Sequence, residues 1–380
     1  MNLKRYSRQT VLPEIGLEGQ ERLGNARVLC VGMGGLGSPV SLYLAAAGVG
    51  TLGLVDDDRV ESTNLQRQIL FENSDIGESK VEAARKKLMR QNPDVQIEVF
   101  NERLIAANAE QVFQSYDLIV DGSDNFATRF LTHDAALKKQ IPWVYGAVNQ
   151  FEGQTALFTS GSRHDKNSDS RGPCYRCLYP HLPRAQIQNC AEAGVLGSIV
   201  GTVGTLQATL ALQYLISAGN PNHPLCPPVG QLSIFDFAGR WNISTIQVPQ
   251  QPDCPSCSIA PAEIVLRDAD AFCTTKSGQR KSIRATDLLM QMRMKENPVL
   301  LFDVRDSDEW ETGHIADAIH WPLHRIEKGE IPPLPAGSTT IVVYCQTGLR
   351  SARAAHLLNL AGVQSVLNLE GGIHAWPPMD

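Results

Sequence analysis

The segment Ala26–Val55 constrains the fold more than any other part of the chain. A short apolar run, ARVLCV, breaks into the loop GMGGLG at 32–37, and an alanine-rich helical stretch follows. A second apolar run, Thr51–Val55, ends at Asp56. A strand, a glycine loop, a helix and a second strand in this order form the unit that binds a phosphate at the helix N-terminus.

Strands and helices continue to alternate along the chain. VQIEVF follows a charged helix at about 78–91, YDLIV precedes a helix at about 126–139, and PWVYGAV is a further apolar run. This alternation predicts an α/β fold with a Rossmann-like, doubly wound, mostly parallel sheet and ligands at the carboxyl ends of its strands. A smaller α/β pattern occupies 279–380. We therefore expect domains at 1–258 and 279–380, joined by a linker at 259–278.

Charge and composition exclude several classes of protein. The net charge of −6 argues against a nucleic-acid binder, which needs a basic face. The N-terminus has no apolar export signal, so we expect a cytoplasmic protein. The uncharged stretch 193–219 contains Ser, Thr, Gln and Gly, which favours a helix buried at a domain or subunit interface over a membrane span. The 9 cysteines then indicate metal ligands or nucleophiles rather than disulfides.

Residues around the glycine loop indicate which nucleotide it binds. Asp56 is placed to bind ribose, but a nicotinamide cofactor site has the same spacing, which leaves an oxidoreductase open. Several further polar or cationic residues suit a triphosphate better than a pyrophosphate that the loop amides already satisfy. They are Arg8, Asn64, Arg67 and Lys80. The glycines expected to let the backbone approach phosphate are Gly32, Gly34, Gly35 and Gly37.

Two C-x-x-C pairs predict a metal site. Cys174 and Cys177 form one pair, and Cys254 and Cys257 form the other. Each pair can present two thiolates to one tetrahedral Zn²⁺ ion, and four protein ligands leave no open position for catalysis. A redox C-x-x-C is instead expected singly, near a helix N-terminus. The spacing therefore favours a structural zinc ion that joins two distant segments.

Cys345 is the strongest candidate nucleophile. The strand TIVVYC runs into CQTGLR, which ends at Arg350 and precedes the helix SARAAHLLNLAG. Loop amides at the positive end of a helix stabilise a thiolate and cradle an anionic sulfur. A phosphatase has a related loop, but it needs five residues between Cys and Arg, whereas four are present here. No motif surrounds Cys30, Cys226 or Cys273, which we expect to be structural.

Residues 1–257 resemble the MoeB/ThiF/HesA-type activating enzymes, bacterial relatives of ubiquitin-activating enzyme. The resemblance rests on RYSRQ, VGMGGLGS, LVDDDRVESTNLQRQ, DIGESK, VDGSDN and PCYRC. It implies that Asp56 binds ribose and that Asp124 holds Mg²⁺. Arg8 would reach the ATP γ-phosphate from the other subunit of a homodimer. The other implied ATP-binding residues are Asp58, Asn64, Arg67, Lys80 and Asn125, and the family also carries a zinc site.

The C-terminal part resembles a rhodanese domain. Its motifs are FDVRDSDEWETGHIADAIHWPL, CQTGLR and LEGGIHAW. This resemblance implies a persulfide on Cys345, with Gly348 and Arg350 shaping the loop, and it makes Arg350 a candidate catalytic residue. Asp303 and Arg305 are expected to hold the fold. Cys190, in QNCAEAG, matches a region that in some activating enzymes carries a cysteine linked to the carrier protein, so it is a candidate catalytic thiol or a bland one.

The two resemblances together predict an enzyme of the MoeB–rhodanese type. The first domain would adenylate the C-terminal glycine of a small ubiquitin-like sulfur carrier ending in Gly-Gly, using ATP and Mg²⁺. Cys345 would then deliver sulfur, loaded by a donor such as a cysteine desulfurase, to form a thiocarboxylate. Cys190 would act as an acyl thioester or resolve the persulfide as a disulfide. An NAD(P)-dependent oxidoreductase with an accessory rhodanese domain, or a non-catalytic carrier scaffold, are the alternatives.

Overall fold

A computed structural model describes most of the chain as two compact units, Met1–Cys273 and Thr274–Asp380. The residues that the structure describes are 3–159, 172–181, 194–239, 241–268, 282–294, 299–334, 340–363 and 366–377.

The first unit contains an eight-stranded sheet. Its order is β3-β2-β1-β4-β5-β6-β7-β8, parallel through β5 and antiparallel beyond it. The strands are β1 Arg27–Val31, β2 Thr51–Val55, β3 Gln96–Phe100, β4 Leu118–Asp121, β5 Trp143–Asn149, β6 Glu152–Phe158, β7 Gln231–Asp236 and β8 Asn242–Gln247. The prediction of an α/β fold with a mostly parallel sheet is confirmed. The antiparallel extension was not predicted.

Helices cover both faces of this sheet. They are α1 Ser7–Thr10, α2 Gly16–Asn25, α3 Gly37–Ala47, α4 Lys80–Gln91, α5 Ala106–Phe113, α6 Phe126–Lys139, α7 Tyr175–Leu178 and α8 Gly197–Ser217. Alternate residues of β1 enter two different cores: Val28 and Cys30 lie in one, Leu29 and Val31 in the other. A strand buried on both faces is apolar throughout rather than alternating, which explains the run ARVLCV.

Local signals set the ends of two helices beside the glycine loop and the end of β4. Gly48 ends α3 in the left-handed conformation, with φ of +83°. Asn125 caps α6, because its side-chain oxygen accepts a hydrogen bond from Thr128 N. Both are conformations and contacts that these residue types favour.

Helix α8 is the long uncharged helix. By length and composition it is the one helix among the described residues that passes as a membrane span, and 56% of its most apolar window is buried within the unit. It packs against α3, β5 and β6. Its glycines allow close approach, since a Cβ on Gly204 would lie 2.7 Å from the carbonyl oxygen of Leu36.

Residues 259–268, which lie in the segment predicted as linker, pack against the first unit. Ile264 is 4% exposed in the core that α6 helps to form, and Lys138 Nζ donates to its carbonyl oxygen. Asp268 Oδ1 accepts a hydrogen bond from Ala106 N. The buried Ile264 side chain and these two hydrogen bonds therefore attach residues 259–268 to the unit. Residues 269–278 lie outside the described residues.

The second unit contains a five-stranded parallel sheet in the order β11-β10-β12-β13-β9. Its strands are β9 Ser282–Ile283, β10 Val299–Asp303, β11 Ile319–His320, β12 Thr340–Tyr344 and β13 Val366–Leu369. Its helices are α9 Ala285–Met294, α10 Ser307–Glu311, α11 Leu323–Glu327 and α12 Leu349–Leu360. Asp303 and Arg305 form a buried ion pair of 2.7 Å, as expected of residues that hold the fold.

Candidate functional site

The glycine loop closes tightly between β1 and α3. Gly32 has φ of +86°, in the left-handed region that favours glycine. A Cβ on Gly37 would lie 2.0 Å from the carbonyl oxygen of Gly32. The backbone angle at Gly32 and the close backbone approach at Gly37 exclude other residues at these two positions unless the loop moves. The N-terminus of α3 is thereby placed beside the carboxyl end of β1.

A cavity of about 480 Å³ lies beside this loop. Residues of the loop, of the segment after β2 and of the segment after β4 line it together. The sequence-predicted residues among them are Gly32, Gly34, Gly35, Asp56, Asp58, Asn64, Arg67, Lys80, Asp124 and Asn125. Gly37 and Arg8 do not line the cavity. Gly37 acts by permitting the turn, and Arg8 lies exposed on α1.

Asp56 is fixed by backbone amides on two sides. Its Oδ2 accepts from Met33 N at 2.7 Å, and its Oδ1 accepts from Asp58 N at 2.8 Å. Burial raises the pKa of Asp56, although the charge of Lys80 and both amides oppose that rise. The carboxylate therefore joins the glycine loop to the end of β2 in a defined orientation.

Two cations with different degrees of freedom face the cavity. Lys80 begins α4, its side chain is 6% exposed, and its Nζ lies 2.7 Å from Asp58 Oδ2. Arg67 is half-buried, and its Nη1 donates to Thr63 O at 3.1 Å. Asn64 accepts from Glu61 N at 3.1 Å, which orients its amide. Positive charge and fixed donors at the mouth of a glycine loop suit a polyphosphate.

The segment after β4 brings acidic and basic groups to the same cavity. Asp124 is exposed, while the side chain of Asn125 caps α6. Arg129, also in the cavity wall, was missed by sequence reasoning. It lies inside a helix at 5% exposure, where a pattern of residues gives no sign that an arginine will face a ligand.

The four predicted metal ligands lie together. Cys174 and Cys254 have Sγ atoms 3.5 Å apart, as do Cys177 and Cys257, and all four thiols are buried. Tetrahedral thiolates at about 2.3 Å from Zn²⁺ are about 3.8 Å from each other, so the cluster fits that ion. The hydrogen bond with the Cys174 thiol favours the thiolate of Cys177 and lowers its pKa, while hydrogen bonds within the cluster raise the pKa of Cys174. Thiolates are the form that binds metal.

The segment Cys174–Cys177, called the CYRC segment below, is firmly attached to α6. Arg176 donates from Nε and Nη2 to the two carboxylate oxygens of Asp134, at 2.8 and 2.6 Å. His133 and Ser256 also contact Asp134 Oδ1, at 3.0 and 3.2 Å. This buried network connects both cysteine pairs to the helix that starts at the cavity beside the glycine loop.

Cys345 directly follows β12 and lies four residues before the start of α12. Its Sγ accepts hydrogen bonds from Gly348 N at 3.2 Å and Ser351 Oγ at 3.3 Å, and the residue is 1% exposed. Gly348 has φ of +95°. Ile373 N donates to the carbonyl oxygen of Cys345 at 2.8 Å, so the LEGGIHAW motif supports this loop from behind. Two donors aimed at one sulfur stabilise negative charge on it.

Arg350 is paired with an acidic residue of α10. Its Nη1 and Nη2 donate to the two oxygens of Glu309, at 2.6 and 2.5 Å, and Nη1 lies 3.4 Å from Asp306. A bidentate pair of this kind fixes the guanidinium plane. Arg350 therefore ties the Cys345 loop to α10.

Of the four remaining cysteines, two lie in the described part of the chain. Cys30 is buried in the core, and burial raises the pKa of its thiol to about 12, which makes it inert. Cys226 is half-buried beside Pro227. Cys190 and Cys273 lie outside the described residues.

Two family models match the chain. The model described as the ThiF family matches residues 6–256, and the model described as a rhodanese-like domain matches residues 285–377. The matched ranges contain the cavity beside the glycine loop, the Cys345 loop and three of the four clustered cysteines, and Cys257 directly follows the first range.

Curated relatives match over nearly the whole length. The chain is 38% identical over 379 residues to "Probable adenylyltransferase/sulfurtransferase MoeZ" of Mycobacterium tuberculosis, covering 98% of this chain and 92% of that protein. It is 35% identical over 399 residues to "Adenylyltransferase and sulfurtransferase MOCS3" of Drosophila yakuba, covering 99% and 83%. It is 45% identical over 272 residues to "Sulfur carrier protein adenylyltransferase" of Thermus thermophilus, covering 71% and 96%.

Solved structures share the fold of the first unit. The structure titled "Crystal structure of E. coli MccB + ATP" matches with a TM-score of 0.57 and 20% sequence identity, covering 68% of this chain and 75% of that one. At that identity the likeness concerns the fold alone.

Proposed function

The chain belongs to the ThiF family and ends in a rhodanese-like domain, and on this premise we propose that it activates a sulfur-carrier protein and then transfers sulfur to it. The substrate would be the C-terminal glycine carboxylate of a small ubiquitin-like protein ending in Gly-Gly. The relatives are named transferases, so an oxidoreductase is not favoured.

One observation carries this proposal. A polyphosphate-type cavity beside a glycine loop and a cysteine cradled at a helix N-terminus occur in one chain, each in its own unit. Adenylation needs the first arrangement and persulfide transfer needs the second. Together they account for a thiocarboxylate as product, which neither provides alone.

In the adenylation step, a carboxylate oxygen of the carrier attacks the α-phosphorus of ATP. The bond from that phosphorus to the β-phosphate oxygen breaks, and pyrophosphate leaves with the electron pair. Lys80 and Arg67 stabilise the negative charge that develops on the phosphates. Asp124 would hold Mg²⁺, which supplies further charge neutralisation when bound. Asp56 orients the ribose.

Arg8 completes this site from a second copy of the chain. It is exposed on α1 and does not line the cavity of its own chain. A homodimer that brings Arg8 of the partner to the γ-phosphate would supply the missing cation. We propose this assembly and a cytoplasmic location for the enzyme.

In the sulfur step, the terminal sulfur of a Cys345 persulfide attacks the carbonyl carbon of the acyl-adenylate. A carbon–sulfur bond forms, the carbon–oxygen bond to AMP breaks, and AMP leaves. The product is an acyl disulfide between the carrier and Cys345. A second thiolate, for which Cys190 is the candidate, attacks Cys345 Sγ, forms a disulfide with it and releases the carrier thiocarboxylate. Gly348 N and Ser351 Oγ stabilise the sulfur of Cys345.

The remaining cofactor and partner are also proposed. Zn²⁺ would occupy the four-cysteine cluster in a structural role, because all four ligands are protein thiolates. The persulfide would come from a sulfur donor such as a cysteine desulfurase, whose product is itself a protein persulfide.

ATP–pyrophosphate exchange in the presence of a Gly-Gly-ended carrier tests the proposal. We expect exchange that requires the carrier, and we expect thiocarboxylate once Cys345 carries persulfide. A carrier lacking its last glycine is the control and should support no exchange. Absence of exchange with every such carrier, together with binding of a nicotinamide cofactor, would overturn the assignment.

A further inference from the structure

The backbone of Ser123 is held from both sides by two buried charged residues. Asp121 Oδ1 accepts from Ser123 N at 2.9 Å, and Arg129 Nη2 donates to Ser123 O at 3.0 Å. Asp121 is 0% exposed and Arg129 is 5% exposed. Ser123 directly precedes Asp124, so these two bonds fix the position from which the Asp124 carboxylate enters the cavity.

Arg129 is an unusual choice for such a buried position. Its guanidinium lies 5.4 Å from the ring of Phe126 and 5.3 Å from the ring of Tyr145. Among the residues that the structure describes, its Nε has no hydrogen-bond partner, and neither does Oδ2 of Asp121. Burying a charge with unsatisfied groups is costly, and folded proteins do so rarely. Arg129 also lines the nucleotide cavity, so the residue whose burial is costly is part of the site.

The electrostatics of the pair agree with this geometry. Burial raises the pKa of Asp121, and the charge of Arg129 opposes that rise. A neutral residue in place of Arg129 would therefore leave a buried carboxyl group without its counter-charge. The pair is a unit that keeps the turn between β4 and α6 in one conformation.

The CYRC segment supports Arg129 indirectly, through the rings that Tyr175 contacts and through helix α6. The ring of Tyr175 lies 5.2 Å from that of Tyr145, 5.2 Å from that of Phe130 and 5.3 Å from that of Trp143. Tyr145 is one of the two rings that face the Arg129 guanidinium. Arg176 pairs with Asp134 on α6, the helix that also carries Arg129. Two independent contacts therefore fix both the helix and the ring.

We propose that Arg129 is a positioning residue for adenylation, which sets the Mg²⁺ affinity of the nucleotide site by holding the Ser123 carbonyl and so the Asp124 carboxylate. The CYRC segment supports it through Tyr175 and through the Arg176–Asp134 pair. This inference rests on the proposed function of Asp124. It assigns to the four-cysteine region an effect on the nucleotide site, which lies at the start of the same helix.

Arg129→Lys in the full-length protein is the direct test. Lysine keeps the charge but loses the fork that reaches the Ser123 carbonyl. We expect the Mg²⁺ concentration for half-maximal ATP–pyrophosphate exchange to rise about tenfold, as befits one lost charged hydrogen bond. The KM for the carrier should stay within about twofold. If Arg129 had a purely structural role, the substitution would lower the amount of active enzyme without changing the Mg²⁺ concentration for half-maximal exchange.

A binding measurement gives a readout independent of turnover. Mn²⁺ titrated into the protein with ATP, followed by electron paramagnetic resonance, should bind about tenfold more weakly to Arg129→Lys. Arg27→Lys is the matched control, because Arg27 also pairs with a carboxylate, Glu98, but does not line the cavity. It should leave Mn²⁺ binding unchanged.

Asp134→Asn keeps the test decisive where Arg129→Lys does not fold. It leaves Arg129 in place and weakens the hold of Arg176 on α6, so we expect a smaller rise, about twofold to threefold, in the Mg²⁺ requirement. Folded Arg129→Lys with wild-type Mn²⁺ affinity overturns the inference. So does an unchanged Mg²⁺ requirement in Asp134→Asn when only that variant folds. Absence of exchange in the wild-type protein instead contradicts the proposed function.

Discussion

Lys80 Nζ lies 2.7 Å from Oδ2 of Asp58, and the two side chains are 6% and 67% exposed respectively. A buried ammonium is therefore held by a carboxylate at the surface of the nucleotide cavity. Phosphate oxygens entering the cavity can take the place of this carboxylate, because the ammonium group of Lys80 is a compact charge on a flexible side chain and can donate to either acceptor. The pair keeps the ammonium in position before the nucleotide binds.

Lys80→Met should lower ATP–pyrophosphate exchange by about 10²–10³-fold, since one preorganised donor to the developing charge is lost. The measurement is carrier-dependent exchange at saturating ATP. Lys86→Met is the matched control on the same helix, because Lys86 forms an exposed pair with Glu78. It should change the rate by less than about twofold. Equal losses of exchange rate in both variants would mean that removing any positive charge from α4 lowers the rate, and that the position of Lys80 is not what matters.

Ser351→Ala should slow sulfur transfer about tenfold and leave adenylation intact. The substitution removes one of the two donors to Cys345 Sγ, and hydrogen bonds to charged groups contribute about 1.5–3 kcal/mol. Mass spectrometry of the carrier after single turnover with persulfide measures thiocarboxylate. Cys345→Ala is the reference variant and should form none while keeping exchange. Thiocarboxylate from Cys345→Ala, with persulfide as the only sulfur source, contradicts the role given to the second unit.

Cys254→Ser should remove bound zinc and destabilise the first unit. Loss of a structural metal costs more than about 4 kcal/mol, which corresponds to a fall of about 8–16 °C in Tm for a unit of this size. Plasma emission spectroscopy gives the metal content, and calorimetry of the full chain gives Tm. Cys226→Ser, outside the cluster, should change neither. Full stability of the metal-free protein would show that the cluster does not clip the two segments together.

The sequence allowed prediction where the signal is local. The glycine loop, the cysteine pairs and the parallel strands each require particular residues within a few positions, and the structure brings those residues together. Strand β8 gave no such signal, because all six of its residues are exposed and no apolar face repeats along it. Arg129 was missed for a different reason: the folded turn between β4 and α6 and the Tyr145 ring on β5 decide where its guanidinium lies, and no residue pattern within the helix signals it. The cap formed by Asn125 could have been recognised, since asparagine before a helix is a standard N-cap.

Glu309→Gln should weaken the second unit at neutral pH by about 0.5–1 kcal/mol, a range reduced for the partial exposure of the pair. The hydrogen bond from Arg350 lowers the pKa of Glu309, so its contribution is present above the ordinary glutamate pKa of about 4.3. It is lost as the pH falls through the lowered pKa. Wild type and variant should therefore converge in acid.

Hydrogen–deuterium exchange of α12 peptides in the full chain measures this local stability at several pH values. Asp308→Asn, which changes the exposed carboxylate one residue earlier, is the control and should follow the wild-type trend. A difference between wild type and Glu309→Gln that grows as the pH falls would exclude the ion pair as its cause.

Two alanine substitutions in the glycine loop should separate folding from nucleotide binding. A Cβ on Gly34 would have Gln68 Nε2, at 3.8 Å, as its nearest neighbour, and Gly34 lines the cavity. Gly34→Ala should therefore fold with wild-type Tm but bind ATP more weakly, because its methyl group stands between the backbone and the phosphates. A Cβ on Gly37 would lie 2.0 Å from backbone that cannot give way cheaply. Gly37→Ala should cost the first unit about 1–3 kcal/mol or more. Calorimetric unfolding measures the stability, and isothermal titration with ATP measures the affinity. If Gly34→Ala lost as much stability as Gly37→Ala, the distinction between a glycine needed for the ligand and one needed for the turn would be wrong.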